Sequence, residues 1–190
     1  MSQNFLFKAS FFTLLMQIDS ELADNTLKEG CPRCGGPLHL ANYPRSPFGL
    51  PKQFRRYCDE RISFCCAQCR KRTTPPSVRF FGRRWFVAPV FILLSLLMLG
   101  INERRLAQIK QHFGISVSES TWKRWRAWWR QSFQRTKFWL QAKGSVISHL
   151  QTNLGLPRAL LRLFPGSLIE KIPKLLQFFS PLTAGSLCAI

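Results

Sequence analysis

The sequence predicts an α+β protein, mainly α, with a cysteine-rich β unit near its N-terminus, a helical bundle behind it and short helices at the C-terminus. Three observations predict this. Two Cys-x-x-Cys pairs, Cys31/Cys34 and Cys66/Cys69, sit among short β-like stretches in a segment rich in Pro, Gly and Arg. Residues 83–143 carry apolar side chains at helical spacing between clear start and stop signals. Residues 144–190 are Leu- and Phe-rich but cut by Pro157, Pro165, Pro173 and Pro181, which one long helix does not tolerate.

Residues 1–28 read as an amphipathic helix, with Phe7, Phe11, Leu14, Leu15, Ile18 and Leu22 at helical spacing. Lys8 interrupts the apolar run, and neither a basic leader nor a small-residue cleavage site marks it for export. Residues 29–82 form the cysteine-rich unit. In residues 83–143, Pro89 suits a first helical turn, Val90–Leu99 is apolar on all sides, and Gly100 closes the helix. A helix of that kind must be wrapped by others. The run Trp85–Ile101 is 17 residues long, at the lower limit for spanning a bilayer, and Pro89 interrupts it; a buried core helix and no membrane partner are expected. The next helix opens at Asn102, stapled by Ile101 and Leu106, buries Leu106, Ile109 and Phe113, and ends at Gly114. The third starts at Ser116, which makes a capping box with Glu119, or at Ser118, which makes a staple through Val117 and Trp122. Residues 144–190 are too apolar to stay exposed, so they complete the helical core or form a homodimer face.

Charge narrows the partners. The 190 residues hold 28 Lys+Arg against 9 Asp+Glu, a formal net charge of +19. That excess favours a polyanion, nucleic acid first and a membrane surface second. Beyond Glu60 the carboxylates are Glu103, Glu119 and Glu170 alone, so acid-base or metal-ion catalysis built on acidic clusters has little to draw on. No enzyme is expected.

The seven cysteines are odd in number and two pairs have ligand spacing, a metal pattern from a reducing compartment rather than a disulfide framework. Each pair can turn two sulfurs toward one ion, and the glycine after Cys34 relieves the tight turn there. Four thiolates close a tetrahedral site, so the implied Zn2+ is structural, held by Cys31, Cys34, Cys66 and Cys69. Alternation through Phe64-Cys65-Cys66 puts Cys66 on the ligand face and makes Cys65 a small buried hydrophobe; a one-residue slip would exchange them. His39 and Cys58 are alternative ligands on spacing. Between Cys34 and Cys66 lie 31 residues, long for a compact ribbon, so an insertion from His39 to Asp59 bulges out as a DNA-contacting or solvated loop. Arg33, Arg70, Lys71 and Arg72 are placed to offset the anionic cluster. Arg79, Arg83 and Arg84 have no such local partner and are candidates for phosphate contacts.

In the third helix Trp122, Trp125, Trp129 and Phe133 share one face and Trp128 widens it, so they read as core. Lys123, Arg126 and Arg130 line the neighbouring edge, with Arg124 across the helix. A short helix, a glycine turn and a second helix with a basic edge describe a helix-turn-helix. On that reading Ser120, Thr121, Lys123 and Arg124 approach bases, while Arg104, Arg105, Lys110, Arg126 and Arg130 hold phosphates of double-stranded DNA.

The combination of Cys31-Pro-Arg-Cys34-Gly, Phe64-x-Cys66-x-x-Cys69-Arg-Lys-Arg-x-Thr74 and a helix containing Thr121-Trp-Lys-Arg-Trp125 resembles the zinc-ribbon plus helix-turn-helix portion of insertion-sequence transposases and their small accessory proteins, over about residues 30–130. The resemblance implies zinc at the four cysteines and DNA contact from Ser118 to Arg130. The ribbon insertion is longer than the pattern, and Gly114 to Trp125 spans two residues more. Such transposases cut DNA with three carboxylates on an RNase-H-like fold. No aspartate follows Asp59 and fewer than fifty residues follow residue 143, too few for that domain. The expectation is a cytoplasmic, nucleoid-associated DNA-binding protein that recognises an element end or an operator, with catalysis left to a separate transposase subunit. A zinc-ribbon transcription regulator and a zinc-stabilised RNA-binding or assembly protein are the alternatives.

Overall fold

In the computed structural model, which describes residues 8–48, 50–81, 87–89, 91–92, 117–146 and 156–184, the chain enters through helix α1, Ala9–Glu29. Phe11, Leu15 and Ile18, at helical spacing, bury one stripe, and Phe12 adjoins it. Leu14, expected on that stripe, is 41% exposed. Gly30 ends the helix with φ 77, its N–H donating to the Leu27 carbonyl at 3.3 Å, and delivers the chain directly to Cys31.

The β unit contains five short strands: β1 (Leu38–Leu40), β2 (Tyr43–Pro44), β3 (Glu60–Arg61), β4 (Phe64–Cys66) and β5 (Arg72–Thr73). All pairing is antiparallel, in a three-stranded sheet of order β1-β4-β5 and a two-stranded sheet of β2 and β3. A small core of Ala23, Cys31, Leu38, Phe64 and Cys66 joins the unit to α1.

The insertion leaves the three-stranded sheet, and it is partly buried rather than merely solvated. It forms β2 and β3 and a 3-10 helix, Lys52–Tyr57, which turns Phe54 inward. Leu50, Phe54 and Cys58 are buried in the main core, and the Phe54 ring stacks on Phe12 of α1 with centroids 5.2 Å apart. Arg55 and Arg56 remain on the outside.

Arg79 corrects the sequence reading. Its guanidinium is buried against Asp19 of α1, Nε to Oδ2 2.7 Å, with side chains 6% and 0% exposed, so it reaches no phosphate. Ser77 Oγ donates to Asp19 Oδ2 at 2.6 Å, the Val78 N–H donates to Oδ1 at 2.7 Å, and Arg79 Nη1 donates to the Tyr57 carbonyl at 2.6 Å. The Ser77 N–H donates to Thr183 Oγ1 at 2.7 Å. One buried network therefore ties α1, the insertion, segment 77–80 and the C-terminal end together.

Residues 88, 89, 91 and 92 are helical, and Val87, Ala88, Phe91 and Ile92 are buried; the remainder of the predicted apolar helix and the whole of Asn102–Gly114 lie outside the described residues. Helix α2, Glu119–Ala127, starts at Ser118, whose Oγ accepts from the Thr121 N–H at 3.3 Å. It continues as a π turn, Trp128–Ser132, and a 3-10 turn, Phe133–Arg135. Thr136 then breaks the helix with ψ 141, and its Oγ1 accepts from the Trp139 N–H at 3.1 Å in the first turn of α3, Lys137–Val146. Helices α4 (Leu156–Arg162) and α5 (Leu168–Phe179) and a 3-10 turn, Ser180–Thr183, follow. Pro173 sits inside α5 rather than breaking it, buried beside Ile172. Leu160, Ile172, Leu175, Leu176, Phe179 and Leu182 pack in the same core as the tryptophans, with Phe133 and Phe179 rings edge to face at 5.6 Å. The result is a mixed α+β protein, mostly helical, with a small antiparallel sheet. Among the described residues no helix is long and apolar enough to cross a membrane.

Candidate metal centre and nucleic-acid interface

The two Cys-x-x-Cys segments fold as matching knuckles. In the first, the Gly35 N–H donates to the Cys31 carbonyl at 2.8 Å and the Cys31 N–H to the Gly36 carbonyl at 3.0 Å. In the second, the Arg70 N–H donates to the Cys66 carbonyl at 3.1 Å and the Cys66 N–H to the Lys71 carbonyl at 3.0 Å. The residue after each second cysteine is left-handed: Gly35 has φ 70, and Arg70, without glycine's freedom, has φ 56.

These turns face each other across β1 and β4, where Leu38 pairs with Cys66. Cys31 Sγ lies 3.6 Å from Cys69 Sγ and Cys34 Sγ 3.5 Å from Cys66 Sγ, and all four sulfurs are within 4.8 Å of one another. A tetrahedral ion with metal–sulfur bonds of about 2.3 Å needs sulfurs about 3.8 Å apart. The four thiols are free of disulfides and are positioned to hold a metal ion. The backbone N–H groups of Arg33 and then Cys34 bring the Cys31 thiol down to about 6, against the effect of burial. Those of Cys69 and Gln68 lower Cys66 in the same way. At Cys69 the Lys71 N–H pulls downward, but burial and hydrogen bonds to Cys31, Cys34 and Cys66 together lift the thiol to about 11. The backbone thus favours thiolate at Cys31 and Cys66.

The alternative ligands lie elsewhere. Cys65 is half-buried on the opposite face of β4, its Sγ 3.7 Å from the Arg70 carbonyl, and His39 is exposed across from it on β1. Cys58 is fully buried in the main core, and desolvation pushes its thiol up to about 12. Arg33, Arg70 and Lys71 are exposed on the knuckles. Arg72 is engaged away from the sulfurs. Its Nη1 donates to the Ala41 carbonyl at 2.6 Å and to Ser63 Oγ at 2.8 Å, and its guanidinium covers the Tyr43 ring at 5.4 Å. It fastens β5 to the β1–β2 turn.

The helix from Glu119 to Arg135 has two sharply different faces. Trp122, Trp125, Trp128, Trp129 and Phe133 are all buried; the π turn lets the adjacent Trp128 and Trp129 both face the core, their rings edge to face at 4.7 Å. Ser120, Lys123, Arg124 and Arg130 are exposed and Arg126 is half-buried. Thr121, expected at bases, is buried instead, its Oγ1 3.0 Å from Ser118 Oγ and accepting from Arg124 Nη2 at 3.0 Å, so it leaves the surface set. Lys123 pairs with Glu119 at 3.0 Å in an exposed intrahelical bridge, worth little and easily exchanged. Arg104, Arg105, Lys110, Arg83 and Arg84 lie outside the described residues. Sequence reasoning passes over Ala127, Gln131, Gln134 and Arg135, which are also exposed on this helix; their spacing from Ser120 and Arg124 is the available signal.

In fold and site this is a mixed α+β protein whose four-cysteine cluster is positioned to hold a metal ion and whose core carries a helix with a basic solvent face. No protein-family model, curated protein or solved structure matches the chain.

Proposed function

We propose that the chain is a zinc-stabilised, sequence-specific binder of double-stranded DNA, associated with a mobile element. The observation that carries this reading is the helix Glu119–Arg135, with one side sunk in the core by four tryptophans and the other exposing Lys123, Arg124 and Arg130. Zinc, when bound, supplies four thiolate bonds that join the two knuckles and leaves no open position for a substrate. Its thiolate cage carries a formal charge of about −2, which Arg33, Arg70 and Lys71 offset. Association with an element end or an operator, and with a separate transposase subunit, rests on the resemblance of the cysteine motifs. The free cysteines suit the reducing cytoplasm.

The test pairs elemental analysis with competition binding. One zinc per chain, and binding to a labelled random-sequence duplex that excess duplex displaces but single-stranded RNA does not, are expected. A folded, metal-free protein or preferential displacement by RNA would overturn the reading.

A further inference from the structure

The exposed side of the helix is a continuous stripe, and its centre is the smallest side chain on it. Ser120, Lys123, Arg124 and Ala127 are exposed on α2 with neighbours three or four residues apart, and Arg130 and Gln131 are exposed in the π turn that follows. Lying on one side of a helix, such a stripe extends beyond the first two turns, where the sequence alone places base contact. Glu119 is the one carboxylate on the helix, at its first residue and drawn to Lys123 at 3.0 Å. Nothing acidic follows to repel a phosphate backbone through Arg135.

A helix with side chains nearly fills a major groove about 12 Å wide. Close approach therefore depends on relief: a long side chain at the centre of the stripe would hold the backbone away from base edges, and Ala127 does not. The flanking groups have the chemistry for reading. A guanidinium matches guanine O6 and N7, and a carboxamide matches adenine N6 and N7.

From this relief and chemistry, and resting on the duplex-binding reading above, we infer that the helix lies lengthwise in the major groove, with Arg124 and Gln131 at base edges on either side of Ala127. Lys123 and Arg130 hold the flanking phosphates. Gln131 is a specificity-determining residue, and Ala127 sets the distance of approach.

Ala127→Phe tests this by filling the gap from a solvent-exposed position. Its melting temperature should match the wild type, while affinity for the duplex selected by the wild type falls by about tenfold or more, and Ser20→Phe on the exposed side of α1 should leave affinity unchanged. Gln131→Ala, which removes no buried group, keeps the question decidable should Ala127→Phe misfold: selection from randomised duplexes should show preference lost at one base pair. Wild-type affinity in Ala127→Phe, or an unchanged preference in Gln131→Ala, overturns the lengthwise reading while duplex binding stands. Failure of the wild type to bind any duplex overturns the proposed function instead.

Discussion

Replacing Asp19 by Asn removes one charge from the centre of the molecule and almost no volume. Arg79 would then remain 6% exposed without its carboxylate. Asp19 Oδ2 accepts from both Ser77 Oγ and Arg79 Nε, whereas an amide nitrogen in that position would meet two donors with a third. Two routes give the magnitude. Removing one partner of a buried ion pair costs about 3–5 kcal/mol. Two hydrogen bonds to a charged group, at about 1.5–3 kcal/mol each, give about 3–6 kcal/mol. A loss of about 4 kcal/mol is a large part of the roughly 5–15 kcal/mol that holds a domain folded. With a urea slope of about 2 kcal/mol per molar, the unfolding midpoint moves down by about 2 M. The assay is equilibrium urea unfolding followed by tryptophan fluorescence, which reports the core occupied by Trp125, Trp128 and Trp129. The double variant Asp19→Leu, Arg79→Met should recover a substantial part of the loss, because no unpaired charge stays buried. A midpoint shift below about 0.5 M for Asp19→Asn would refute the assigned role of the pair.

Other substitutions probe the knuckles and the buried thiol. Arg70→Gly should be neutral or stabilise the zinc-loaded protein by up to about 1 kcal/mol, since φ 56 strains any side chain, whereas Arg70→Val should cost about 2 kcal/mol; a thermal melt in which glycine is the worse of the two contradicts the left-handed assignment. Cys34→Ser should abolish stoichiometric metal by elemental analysis and loosen β1 against β4, and unchanged metal content would remove Cys34 from the ligand set. Cys58, raised to about 12 by burial, keeps its proton while an unfolded chain releases one from about pH 9 upward. Its contribution is therefore level below about pH 9 and falls as pH rises further, approaching about 1.4 kcal/mol per unit. Denaturant curves at pH 9 to 10.5 should be flatter with pH in Cys58→Ala, and identical pH slopes would show that the thiol titrates normally.

Legibility in the sequence followed the range of the interaction. Cys66 was separable from Cys65 because strand alternation is local, and β4 does bury Phe64 and Cys66 on one face. The tryptophan stripe was legible from helical spacing, although neither the π turn at Trp128 nor the break at Thr136 was: propensity does not register which turn the core will distort. The insertion was opaque because Leu50 and Phe54 have no periodic partners nearby; Phe54 stacks on Phe12 of α1, roughly forty residues earlier in the chain, and Leu50 joins the same core. Spacing alone misplaces Arg79 for the same reason. Its partner Asp19 lies 60 positions away, and a long-range ion pair leaves no spacing signal. Thr121 failed for a different one, since as the residue three past Ser118 it is turned toward the cap rather than toward solvent.

The salt dependence of duplex affinity tests the central claim most directly. Binding of the zinc-loaded wild type and of the triple variant Lys123→Ala, Arg126→Ala, Arg130→Ala is measured by fluorescence anisotropy across a range of potassium chloride concentrations. Each phosphate contact contributes about 0.9 to the slope of log affinity against log salt, so the variant should lose about 2 to 3 units of slope. Equal slopes for the two proteins would mean that this face of the helix does not meet DNA.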